Sequence, residues 1–225
     1  MVVKRALVES RPWLLLSLLA SIGYFLANRA ATPLPDAALI AWKGSCVALL
    51  AVYALVRHHS IDGRLIAIVM AFGALGDVLI ELDFRLGALA FIAGHVVAIW
   101  LYMRNRRERL AASQRLLAMI MIPALTFIAW ALPFEREGAN GIALYTLFLA
   151  TMAAAAWTSR FPRYRVGFGA LLFVFSDLLI FARMGPLEES ILPALLIWPT
   201  YYFGQFLICT GVVQTLRHKD PRVAS

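Results

Sequence analysis

The sequence predicts an all-α fold, a polytopic membrane bundle of eight transmembrane helices that fills residues 1–225 as a single domain. Three observations predict it. Hydrophobic residues make up 62% of the chain and the mean hydropathy is +0.78. Only 15% of residues are charged, where a soluble domain carries roughly 25%. The apolar residues fall into runs of bilayer length, about 17 to 23 residues, with breakers between them.

In order, the predicted spans are 12–27, 37–56, 65–82, 85–103, 115–133, 139–158, 165–183 and 191–213. The first follows Lys4, Arg5 and Arg11 and has the outline of a signal peptide. Asn28-Arg29 interrupts the place where a small-x-small cleavage site would stand, so it is expected to be retained as a helix. Pro33 and Pro35 end that span, and Asp62-Gly63 separates the second from the third. Asp83 to Gly87 turns the third into the fourth, Pro133 to Gly138 joins the fifth to the sixth, Pro162 precedes the seventh, and Gly185-Pro186 follows it.

The basic residues orient the bundle. Sixteen of the 21 Lys and Arg lie in the N-terminal segment, the connections at 57–64, 104–115 and 160–165, and the C-terminal tail. The opposite connections hold only Arg29, Arg85, Arg136 and Arg183. The positive-inside rule then places both termini in the cytoplasm, as an even number of spans requires. The cluster Arg104 to Arg109 reads as a topology determinant and an anionic-lipid contact. A net charge of +8 spread this way excludes nucleic-acid binding. Cys46 and Cys209 sit inside apolar runs and are expected to be free thiols.

Two carboxylates break the pattern. Asp77 lies in the third span within GALGDVLIELD, and Asp177 in the seventh within FVFSDLLI. After a small residue, Gly76 or Ser176, each segment reads Asp-[Val/Leu]-Leu-Ile. The shared motif four spans apart, in helices of one direction, suggests a 4+4 parallel internal repeat. A charged side chain at membrane depth costs at least a few kcal/mol and points to function. Lys43, His95, Tyr201, Tyr202 and Gln205 fall in neighbouring layers of spans two, four and eight, and helices one, five and six carry nothing comparable apart from Tyr145 and some Ser and Thr. Two carboxylates and one ammonium leave one excess negative charge, which a single proton shared by the aspartates would neutralise. Such a pair can protonate a substrate and activate a water. The same residues have plainer readings: the aspartates as helix-to-helix hydrogen-bond anchors, Lys43 as a snorkelling cation, His95 as a packing residue, and Gln205 with the tyrosines as interhelical or interfacial groups. His58, His59 and His218 lie outside the spans, so no three-histidine metal centre is expected.

Ordered motifs carry a resemblance. Trp42-Lys43-Gly44, Leu75-Gly76-Asp77 and Phe84-x-x-Gly87-x-x-x-Phe91-x-x-x-His95 resemble the YhhN-like lysoplasmalogenase family. So do Tyr145 with Met152, Gly169-Ala170-x-x-Phe173-x-x-Ser176-Asp177, and Tyr201-x-x-x-Gln205-x-x-Ile208-x-x-Gly211. Gly44 stands where the family pattern has Pro, and Val96-Val97-Ala98 where an aromatic is expected. The resemblance implies hydrolysis of the vinyl ether bond of lysoplasmalogens, giving a fatty aldehyde and glycerophosphoethanolamine or glycerophosphocholine. No cofactor is implied. The partners are the lysophospholipid substrate and membrane lipids, in a cytoplasmic (inner) membrane with the site in its outer half. Asp77 and Asp177 would be the acid/base pair, with Lys43 at the substrate phosphate and His95, Tyr201, Tyr202, Gln205 and Ser176 in support. A proton- or cation-coupled transporter using the same aspartates, and a non-catalytic bundle held by a polar layer, are the competing readings.

Overall fold

The computed structural model describes residues 12–30 and 34–218. Among them are eight α-helices: α1 (Pro12–Ala27), α2 (Asp36–Arg57), α3 (Ile61–Leu82), α4 (Phe84–Arg104), α5 (Ala112–Ala131), α6 (Ala139–Thr158), α7 (Phe168–Ala182) and α8 (Leu192–His218). A π-helical turn, Arg163–Gly167, runs directly into α7. Seven helices, counting α7 with that turn, are long and apolar enough to cross a membrane. The exception is α1, with 16 residues, about 24 Å of helix. The basic residues Lys4, Arg5, Arg11, Lys219 and Arg222, and Pro33, lie outside the described residues.

Helix ends follow local chemistry. α3 begins four residues before its predicted start because Ser60 caps it, its hydroxyl accepting from the Gly63 N–H at 3.1 Å. Asp62 then sits in the first turn, where the helix dipole favours a negative charge. The α3–α4 connection is the single residue Asp83. It is extended, and its carboxylate accepts from the N–H groups of Arg85 and Leu86 at 2.8 and 2.9 Å. This cap starts α4 at once and holds the ends of α3 and α4 side by side.

The basic connections gather at one end of the bundle. Arg104 and Asn105 reach Asp62, Arg160 reaches Glu108, and Arg106 bridges Ser159. Tyr202 of α8 meets Ser17 of α1, and Trp198 meets Ser21. α1 and α8 therefore run antiparallel, and the start of α1 lies at the end where α8 finishes. At the opposite end Arg29 bonds the Ala194 carbonyl, and the Phe134 N–H donates to the Met184 carbonyl.

Packing within the bundle is uneven. α3 and α4 contribute long buried faces, whereas α5 buries only Ala129 and leans mainly on α6. A close backbone approach joins α7 to α8. A Cβ on Gly169 would lie 2.8 Å from the Gly204 carbonyl oxygen, and one on Gly204 would lie 2.7 Å from the Gly169 oxygen. Only two glycines permit that contact, and it brings the Asp177 helix against the Tyr201 helix. α3 and α7 run in one direction, with Asp77 and Asp177 each five residues before the end of its helix. The cysteines are buried free thiols, as expected.

Candidate functional site

α3 and α7 turn equivalent faces inward. Leu75 and Phe175, two residues before each aspartate, are exposed on the outside of the bundle. Gly76 and Ser176 are buried, and so are Asp77 (2% exposed) and Asp177 (5%). Gly76 has a local reason: a Cβ there would stand 2.8 Å from the Phe91 ring. Phe91 in turn packs edge-on against Tyr201 and Phe173. The two aspartates line one cavity of about 890 Å³, together with Lys43, Ser176, Tyr145 and Tyr201.

Each carboxylate is held by a tyrosine, and each tyrosine is backed by a nitrogen. Tyr201 donates to Asp77 Oδ2 at 2.9 Å, and Gln205 Nε2 donates to the Tyr201 oxygen at 3.3 Å. Tyr145 donates to Asp177 Oδ2 at 2.5 Å, and His95 Nε2 lies 3.4 Å from the Tyr145 oxygen. The Tyr145 proton is used on Asp177, so the network assigns the His95 proton to Nε2. Ser176 adds a second hydroxyl, 3.3 Å from Asp177 Oδ1. The rings of Phe173 and Tyr201, 5.1 Å apart, and of Phe173 and His95, 5.2 Å apart, join the two arms in one aromatic wall. Such packing fixes the rotamers that aim the hydroxyls. The Gln205 Oε1 atom is buried without a partner among the described residues.

Two expectations are corrected. The charge sum of two carboxylates and one ammonium is incomplete: Lys43 lines the aspartates' cavity, and its ammonium bonds Glu81 Oε1 at 2.5 Å. Glu81 belongs to α3, one turn past Asp77. The polar set thus holds three carboxylates and one ammonium, with the ammonium bound to the third. Tyr202 is not beside the aspartates. Neighbouring residues on a helix point about 100° apart, and its hydroxyl donates to Ser17 at 2.8 Å, towards α1. Ser17 passes its own proton to the Cys46 carbonyl. His95 and Gln205 stand behind the tyrosines and not on the cavity wall.

Tyr145 is the site residue to which the sequence assigns no role, although it is the polar exception in helix six and belongs to the motif set. It is the one strongly polar side chain in the middle of α6, between Leu144 and Thr146, and that isolation was the available signal. The cavity mouth is also more charged than expected, with Arg29, Arg85, Arg183, Glu81 and Glu137 on its lining.

Among the described residues no group of three or more His, Cys, Asp or Glu side chains is placed to hold a metal ion. The YhhN family model matches residues 38–212, from the first turn of α2 to near the end of α8. No curated protein and no solved structure matches the chain.

Proposed function

The chain belongs to the YhhN family, and we propose that it is a lysoplasmalogenase-type hydrolase that cleaves the vinyl ether bond of single-chain alkenyl phospholipids. The observation that carries this reading is the pair of buried carboxylates on one cavity, each clamped by its own tyrosine. Lipid access supports it. Leu89 of α4 (60% exposed) and Leu144 of α6 (56%) both line the cavity and face outward, an apolar doorway for an alkenyl chain from the bilayer.

The chemistry needs one protonated and one ionised carboxylate. Asp177 accepts from two hydroxyls and Asp77 from one, so Asp177 suits the ionised role and Asp77 the acid. Asp77 delivers its proton to the β-carbon of the vinyl ether, and the ether oxygen shares its lone pair to give an oxocarbenium ion. The Asp177 carboxylate faces that cation and takes a proton from water as the water oxygen bonds to the α-carbon. The resulting hemiacetal collapses. The bond from its carbon to the glycerol oxygen breaks, that oxygen takes the proton held on Asp177, and the hydroxyl proton returns to Asp77. Water and vinyl ether have become aldehyde and alcohol, and the pair regains its single proton.

The tyrosines keep the carboxylates in these roles. Tyr145→Phe is expected to lower kcat by about tenfold to a hundredfold, the worth of a hydrogen bond to a charged group, with Tyr201→Phe showing the smaller loss. Rates measured on monodisperse variants check this. Equal losses in both would remove the assignment of Asp177 as the ionised partner. The reading itself is tested by supplying an alkenyl lysophospholipid to the purified protein. Aldehyde and the water-soluble glycerophospho product are expected in equal amounts.

A further inference from the structure

The outer connections hold only four arginines, Arg29, Arg85, Arg136 and Arg183, and three of them line the mouth of one cavity. The fourth, Arg136, is folded onto Trp130, bonding its carbonyl and stacking 4.1 Å from its ring. Cations are scarce on this side of the molecule, so their gathering at the mouth asks for an anion. The geometry points to a phosphate-binding subsite formed by Arg85 and Arg183, which takes the phosphodiester of the lipid headgroup while the alkenyl chain reaches the aspartates. This rests on the lipid-hydrolase reading for the identity of the ligand.

Elimination among the mouth residues singles out these two. Lys43 is committed to Glu81. Arg29 is spent on the Phe25 and Ala194 carbonyls and lies 3.8 Å over the Phe25 ring. Arg85 and Arg183 are exposed and make no side-chain hydrogen bond or ion pair among the described residues. Apart from the paired Glu81 and the two aspartates, Glu137 is the one carboxylate on the lining, leaving two free cations against one anion at the mouth. Position agrees with the chemistry. Arg183 follows Asp177 by six residues, an axial rise of about 9 Å, which a glycerol backbone and an arginine side chain can span. Arg85 lines the same cavity, its backbone fixed by the Asp83 cap that starts α4. Arginine forks bind phosphate oxygens in pairs, so two of them form a site where scattered lysines would not.

The test compares the parent with the double variants Arg85→Gln/Arg183→Gln and Arg85→Lys/Arg183→Lys, and with Arg136→Gln as control. Binding is read by tryptophan fluorescence with a non-hydrolysable alkyl-ether lysophosphoethanolamine and with an alkylglycerol that lacks phosphate. The double Gln variant is expected to bind the phospholipid about tenfold or more weakly and the alkylglycerol as the parent does. The Lys variant should recover part of the loss, and Arg136→Gln should match the parent. In turnover the Gln loss should fall on KM with kcat held. Equal weakening for both ligands, or none for either, would overturn the subsite. Displacement of the phospholipid by inorganic phosphate alone would assign the arginines to a free anion and overturn the headgroup assignment. Headgroup-dependent binding without aldehyde from the parent would support the subsite and sink only the hydrolase reading. Aldehyde release with unchanged variant affinities would sink only the subsite.

Discussion

Asp77→Asn and Asp177→Asn are each expected to lower kcat for aldehyde release by about 100-fold to 10,000-fold, the usual worth of a positioned acid or base. Asparagine keeps the size of the side chain and an oxygen that accepts from Tyr201 or Tyr145, so the bundle should still purify as a folded protein. What it removes is the proton that Asp77 gives and the charge with which Asp177 faces the cation. The two losses should not multiply in the double variant, because the residues act as a unit. Helical circular dichroism and elution volume establish folding, and single-turnover rates measure the chemistry. Either variant turning over at the parent rate while folded would mean that its carboxylate only anchors helices.

Gly204→Val is expected to destabilise the protein by about 3 kcal/mol or more, since even one extra methylene in a packed interior costs about 1–3 kcal/mol. The added Cβ would stand 2.7 Å from the Gly169 oxygen and 3.1 Å from the Phe173 nitrogen. Both are backbone atoms, so no side-chain rotation relieves the clash and α7 must move away from α8. Tyr201 lies one turn before Gly204 on α8, and Phe173 one turn before Asp177 on α7. The displacement therefore separates the wall that aims Tyr201 and loosens the site with the fold. Gly141→Ala is the contrast: nothing lies within 4 Å of the new methyl, and the melting midpoint should hold or rise. A Gly204→Val protein that melts with the parent would show that the α7–α8 contact is not tight.

The helices were legible because runs of bilayer length, divided by proline, glycine and charge, leave few alternatives. The aspartates were legible for the converse reason, since a carboxylate among leucines and glycines has no bland place in such a run. Orientation about a helix axis was not. α8 has apolar residues on all sides, so its pattern does not say whether Tyr201 or Tyr202 faces the cavity. The answer comes from the Gly169–Gly204 contact and from Ser17 on a helix far away in sequence. Tyr145 stood out as the polar residue of its helix, but its role is not legible until the carboxylate opposite it is known. The ion pair of Glu81 with Lys43 joins positions 38 apart, a relation no local pattern encodes.

The measurement that tests the central claim most directly is turnover of an alkenyl lysophospholipid by the purified protein in deuterated water. Protonation of the β-carbon predicts a full-length aldehyde carrying one deuteron on the carbon next to the carbonyl, released together with the glycerophospho product. No aldehyde from the folded parent, with either headgroup, would contradict the account and turn attention to proton flux through the same aspartates in liposomes.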